Sequence, residues 1–163
     1  MWKWFGSFRI DDFLAKCLDE NHERPPESSA VYLISRHPWS GNFTLACHPL
    51  YVGGNTGGSQ RFRTRIGDVI ADMHGLFGGG TGHSSGGQSL YRWCCEKRIT
   101  PGALHLSWAT WAGSQPWCDR CAEIELYEAC SGHGLLNKQK PDQCNEHSKQ
   151  AAFQSASLCP DCF

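Results

Sequence analysis

The chain has 163 residues, ten of them cysteine, and a formal net charge of −1. That length supports one decorated domain with a proper core, for which seven Trp and eight Phe supply apolar mass. The near-neutral charge excludes a uniformly basic nucleic-acid binder, and the lack of any run of eighteen apolar residues excludes a membrane-spanning helix.

The first residues, Met1-Trp2-Lys3-Trp4-Phe5, are aromatic and interrupted by charge, without a signal peptide's continuous apolar core. A cytoplasmic location is expected, where cysteines serve as thiols or metal ligands more often than as disulfides. Residues 1–24 read as a helical leader, with Phe8, Phe13, Leu14, Cys17 and Leu18 at helical spacing and Arg24-Pro25-Pro26 as its stop. Residues 1–27 are therefore expected as an N-terminal helical extension, 28–147 as the main domain and 148–163 as a tail.

Val31-Tyr32-Leu33-Ile34-Ser35 and Leu50-Tyr51-Val52-Gly53 are short β-prone runs separated by a turn-rich stretch, which predicts an antiparallel pair. A glycine-rich loop follows to Ser59. Phe62, Ile66, Val69, Ile70, Met73 and Phe77 then form one apolar helical stripe ended by Gly78-Gly79-Gly80. Residues 84–98 predict a second helix, Ala103 to Trp108 a third strand, and Pro116 opens a helix through Cys130 that Gly132 and Gly134 end. The fold class is α+β: a three-stranded, mostly antiparallel sheet flanked by helices.

Charge is unevenly placed. Ser28 to Gly67 hold no carboxylate but four arginines, Arg36, Arg61, Arg63 and Arg65, while Asp119 to Glu128 hold four acids and one base. A local basic face on a neutral molecule is compatible with that pattern.

Val31-Tyr32, Tyr51-Val52-Gly53, the arginine-bearing helix, Cys121-Ala122-Glu123-Ile124-Glu125-Leu126 and Leu135-Leu136-Asn137-Lys138 stand in an order that resembles the GIY-YIG nuclease family. The resemblance covers roughly residues 30–141. It departs where the first motif reads Ala-Val-Tyr, where the stretch between the tyrosines is long, and where Gly53–Ser59 is enlarged. His83 to Gln88 has no counterpart in the family pattern.

The resemblance implies a metal-dependent DNA endonuclease, a hydrolase of phosphodiester bonds. Glu123 would hold a catalytic Mg²⁺ or Mn²⁺, hard ions that favour carboxylate and water. Arg65 would grip the scissile phosphate through its planar fork, with Arg61 in reserve and Gly53 at the substrate. Tyr32 would take a proton from the attacking water, its pKa held down by arginine and metal. Tyr51 would support the nucleophile or phosphate, and Asn137 would brace the site. DNA is the expected partner, and a homodimer is one route to a double-strand cut.

Each residue also has an ordinary role. Strand tyrosines pack, Arg65 can pair with Asp68 or Asp72, Glu123 can be one more solvated acid, and Asn137 can cap a helix end.

Cys118-x-x-Cys121 is followed after 22 residues by Cys144-x-x-His147, the paired spacing of structural Zn²⁺. Competing sets are Cys130/His133 with Cys144/His147, and Cys118/Cys121 with Cys159/Cys162, against the alternative of buried thiols. Two other functions fit parts of the pattern. A zinc nucleobase deaminase would use Pro116-Trp117-Cys118-x-x-Cys121 but needs a His-x-Glu that is missing here. A non-catalytic zinc-bearing DNA-binding or adaptor module would keep the fold and lose cleavage. Convergence of Arg65 and Glu123 with both tyrosines on one groove separates that module from a nuclease.

Overall fold

The computed structural model of the chain describes residues 2–27, 30–54, 61–77, 82, 84–112, 118–141 and 144. Four strands, β1 (Trp2–Arg9), β2 (Val31–Ser35), β3 (Pro49–Gly54) and β4 (His105–Trp111), form one sheet in the order β1-β4-β2-β3. All three pairings are antiparallel. Four helices accompany them: α1 (Ile10–Ala15), α2 (Phe62–Met73), α3 (Ser85–Lys97) and α4 (Asp119–Cys130). The class is α+β as expected, with the three predicted strands side by side and a fourth added at the β4 edge. No helix among the described residues is long and apolar enough to cross a membrane.

The fourth strand corrects the helical leader. Trp2 and Trp4 pair with Trp111 and Ala109, while Phe5 and Phe8 pair with Trp108 and Leu106. An irregularity between Phe5 and Phe8 shifts the register, so both phenylalanines face the same layer despite their odd spacing. That shift hides the two-residue period and leaves a false helical one. Aromatic side chains suit a pleated, half-covered surface, and only Ile10–Ala15 coils into helix.

Every residue of β2 is buried because both sheet faces are covered. Tyr32, Ile34, Leu106 and Trp108 face a layer built from α1, α2 and α3, where Ile10, Phe62, Met73 and Leu90 are fully buried. Val31, Leu33, Val52 and Ala109 face Ala122, Leu126 and Cys130 of α4, together with Trp39 and Phe43. Helix α2 stops earlier than its apolar stripe suggests. Gly75 (φ +80°) takes the left-handed position, and the Leu76 N–H closes on the Ala71 carbonyl at 3.0 Å. Phe77 lies beyond the helix and packs edge-on against Tyr91, 5.4 Å between centroids. The expected stop at Gly78–Gly80 lies outside the described residues.

Candidate active site and metal centre

Strand register brings the two tyrosines together. Tyr32 lies opposite Gly53 and Ile34 opposite Tyr51, so both tyrosines project from one face of the β2–β3 pair. Their ring centroids are 6.0 Å apart, and each tyrosine acts on the pKa of the other. Tyr32 is buried, at 2% exposure; Tyr51 is only half-buried.

Two glycines make room for this pair. A Cβ on Gly53 would overlap the Tyr32 ring, and one on Gly86, in the first turn of α3, would overlap the Tyr51 ring. Gly54 performs the same service for Glu123, whose Oε2 would lie 3.0 Å from a Cβ there. The carboxylate of α4 thereby reaches the end of β3 and raises the pKa of both tyrosines, while Arg65 lowers both. Arg65 stands exposed in the first turn of α2. Tyr32, Tyr51, Arg65 and Glu123, drawn from four different elements, therefore share one electrostatic neighbourhood.

The arginines separate clearly. Arg61 is the N-cap of α2, and its carbonyl accepts the Arg65 N–H at 2.9 Å. Arg65, and not Arg61, acts on the tyrosines. Arg63 points elsewhere, donating to the Pro25 carbonyl at 2.8 Å and meeting Glu27 at 3.2 Å. Gly53, expected at the substrate, is buried beneath Tyr32.

Asn137 caps no helix end. Its Oδ1 accepts the Val52 N–H at 3.0 Å and its Nδ2 donates to the Val52 carbonyl at 2.8 Å. The side-chain amide thus imitates a neighbouring strand along the open edge of β3. Leu136 continues the imitation by donating to the Leu50 carbonyl at 2.7 Å.

Burial lifts the Tyr32 pKa well above the ordinary 10.0, with Tyr51 adding and Arg65 opposing; the lowering expected of Tyr32 rests on a metal as well as on arginine. Burial likewise raises Tyr51, with Glu123 adding. Desolvation outweighs one exposed guanidinium.

A second cluster lies at the start of α4. Cys118 is the N-cap, Cys121 sits in the first turn, and the sulfurs of both lie within 4.8 Å of the Cys144 sulfur and of each other. Cys118 Sγ and Cys144 Sγ are 3.5 Å apart. Tetrahedral zinc–thiolate geometry requires sulfur separations of about 3.8 Å, so these three residues could hold a metal ion. Burial, then the two neighbouring thiols, push Cys121 up to about 12. A divalent cation reverses that crowding, and the N-terminal end of a helix also favours thiolate.

His147, the fourth ligand of the predicted set, lies outside the described residues, as do Cys159 and Cys162. The competing set loses Cys130, which is buried beside Cys47 with its thiol pushed up to about 12 by that burial. It packs as a small apolar group. Neither Gly54 nor Gly86 was singled out in the sequence. Gly54 adjoins the tyrosine motif, and Gly86 lies in the glycine-rich segment that had no counterpart in the family pattern.

Comparison with known protein families, curated proteins and solved structures returns no match.

Proposed function

We propose that the chain is a metal-dependent DNA endonuclease of the GIY-YIG kind, hydrolysing phosphodiester bonds at the Tyr32–Tyr51–Arg65–Glu123 cluster. The observation that carries this is the convergence of two tyrosines, a cation and a carboxylate from β2, β3, α2 and α4 on one neighbourhood. Convergence supports cleavage over the non-catalytic zinc-bearing module, which has no need of it.

Glu123 is the carboxylate that would hold Mg²⁺ or Mn²⁺, and the missing side chain at Gly54 lets it lie close against the end of β3. A bound ion of this kind neutralises phosphoryl charge and acidifies a coordinated water. Arg65, exposed beside the tyrosines, binds phosphoryl oxygens through its fork. Tyr51, half-buried beside the buried Tyr32, is the tyrosine that would orient the attacking water or the phosphate. In this arrangement Tyr32, buried in the core beside Tyr51, supports that ring from within. Asn137 holds β3 straight between Tyr51 and Gly53. A Zn²⁺ at Cys118, Cys121, Cys144 and His147 is structural in this proposal, since thiolates select soft ions and leave the hard ion to Glu123.

The test is nicking and linearisation of supercoiled plasmid with Mg²⁺, comparing wild type with Glu123→Gln and Arg65→Ala. Loss of about 100-fold or more in each folded variant is expected, the scale on which removing a preorganised charge acts. Cleavage surviving both substitutions sinks the assignment.

A further inference from the structure

The three cysteines stand at the two ends of one stretch of chain that carries two residues of the nuclease cluster. Cys118 and Cys121 begin α4, and Glu123 follows two residues later in the same helix. At the far end, Cys144 comes seven residues after Asn137. Between them α4 packs on β3 and β2, the chain turns at Gly134 (φ +76°), and Leu136 and Asn137 pair with β3. The sulfur triangle closes this stretch into a ring, with Glu123 just inside one end and Asn137 near the other.

Hydrogen bonds such as those of Leu136 and Asn137 are each weak in net terms, because water offers the same groups alternative partners. Lys140 meets Glu128 at 2.7 Å and also ties the returning segment to α4, but both side chains are more than half exposed, so salt screens that link. A metal held by thiolates is a far firmer cross-link, and it lies where α4 meets the returning segment.

We propose that Cys118, Cys121 and Cys144 bind one thiophilic divalent ion of the Zn²⁺ class, and that its occupancy fixes Glu123 and Asn137 against β3, so that the thiolate site governs the carboxylate site. Binding exchanges three thiol protons, released to solvent, for one divalent ion, and no electron is transferred. The effect on cleavage rests on the nuclease proposed above; binding and the order of β3 do not.

Full-length protein stripped with a chelator is titrated with Co²⁺ as a spectroscopic probe and with Zn²⁺ as competitor. One equivalent per chain is expected, with a near-ultraviolet thiolate-to-cobalt charge-transfer band. Cys144→Ser weakens Zn²⁺ binding by about 100-fold or more, the share of one ligand in such a site. Cys95→Ser, exposed on α3, leaves it unchanged. In wild type, stripping zinc speeds amide exchange at Val52 and Leu136 at least about tenfold, while Leu33 in the sheet centre holds its protection.

Absence of the thiolate band overturns the proposal. So does zinc binding that leaves Val52 and Leu136 exchange unchanged. If zinc binds and exchange responds but plasmid stays intact with Mg²⁺, the clamp stands and the nuclease falls. Cleavage by stripped protein at the wild-type rate refutes the coupling directly.

Discussion

Asn137 and Val52 exchange two hydrogen bonds, N–H to Oδ1 at 3.0 Å and Nδ2–H to carbonyl at 2.8 Å, across 85 positions of sequence. A side-chain amide carries one donor and one acceptor at the spacing of a peptide group, so it completes the ladder that edge strand β3 otherwise lacks. Asn137→Ala removes both bonds and should cost about 1–2 kcal/mol, read as a lowered urea midpoint with unchanged slope. Asn137→Asp keeps the acceptor, loses the donor and sets a negative charge against a carbonyl, so it should be no better than alanine. Full stability in the alanine variant would show that the pairing contributes nothing.

Two glycines should separate stability from activity. Gly53 lies under Tyr32, which is 2% exposed and walled in by the core, so Gly53→Ala has nowhere to push the ring. Overpacking of that kind costs about 1–3 kcal/mol. Gly86 lies under Tyr51, which is half-buried and can swing outward. Gly86→Ala should therefore cost less than about 1 kcal/mol while cutting plasmid cleavage at least about tenfold, because the displaced ring carries the Tyr51 hydroxyl away. Paired melting curves and plasmid assays decide it, and equal stability losses would contradict the difference in freedom assigned to the two rings.

How much of this was legible in the sequence depends on the period each element shows. Helix α2 could be read because Phe62 to Met73 keep a strict helical stripe, and the β2–β3 pair because two β-prone runs flank turn residues. Strand β1 could not, because the irregularity between Phe5 and Phe8 breaks the alternation that would reveal it. Tyr32, Tyr51, Glu123 and Asn137 came from spacing that resembles a known pattern, and the structure brings all four together at β3. The surroundings of Tyr32 stayed hidden: a linear motif gives a residue's identity and not its burial, and that burial raises its pKa. Gly54 and Gly86 matter for what they lack, which no motif displays.

Glu125 gives a pH signature. Burial, and then the charge of Glu128, lift its carboxyl from 4.5 to about 7, and its Oε1 accepts no hydrogen bond. The folded value lies above the unfolded one, so the protonated acid is what the fold favours. Stability from this group is fully present below the unfolded value of 4.5 and is lost as pH rises through about 7. Glu125→Gln mimics the neutral form and should gain about 1–2 kcal/mol over wild type at alkaline pH, discounted from the full shift because the group is half-exposed. The gain should vanish in acid. Urea unfolding on both sides of neutrality measures it, and a pH-independent difference would place the effect in packing instead.

Arg63 and Arg65, two residues apart on α2, should respond in opposite ways to the same substitution. Arg63 is spent on structure: its Nε donates to the Pro25 carbonyl at 2.8 Å, and its Nη1 meets Glu27 at 3.2 Å. Those contacts pin the segment before β2 to the helix. Arg63→Ala should lower stability by about 1 kcal/mol, most of it from the neutral acceptor, since the Glu27 pair is exposed. Its Mg²⁺-dependent cleavage should stay within about twofold of wild type, well under the tenfold that 1.4 kcal/mol represents. Arg65 is exposed and acts on the tyrosine pair, so Arg65→Ala should leave the melting temperature within about a degree, as surface changes usually do. Its cleavage should fall about 100-fold, and Arg65→Lys should recover only part, because an ammonium supplies charge without the bidentate fork. Should Arg63→Ala be the variant that loses cleavage, the phosphate would have to approach from the Pro25 side of α2, and the site assigned to Tyr51 and Glu123 would be misplaced.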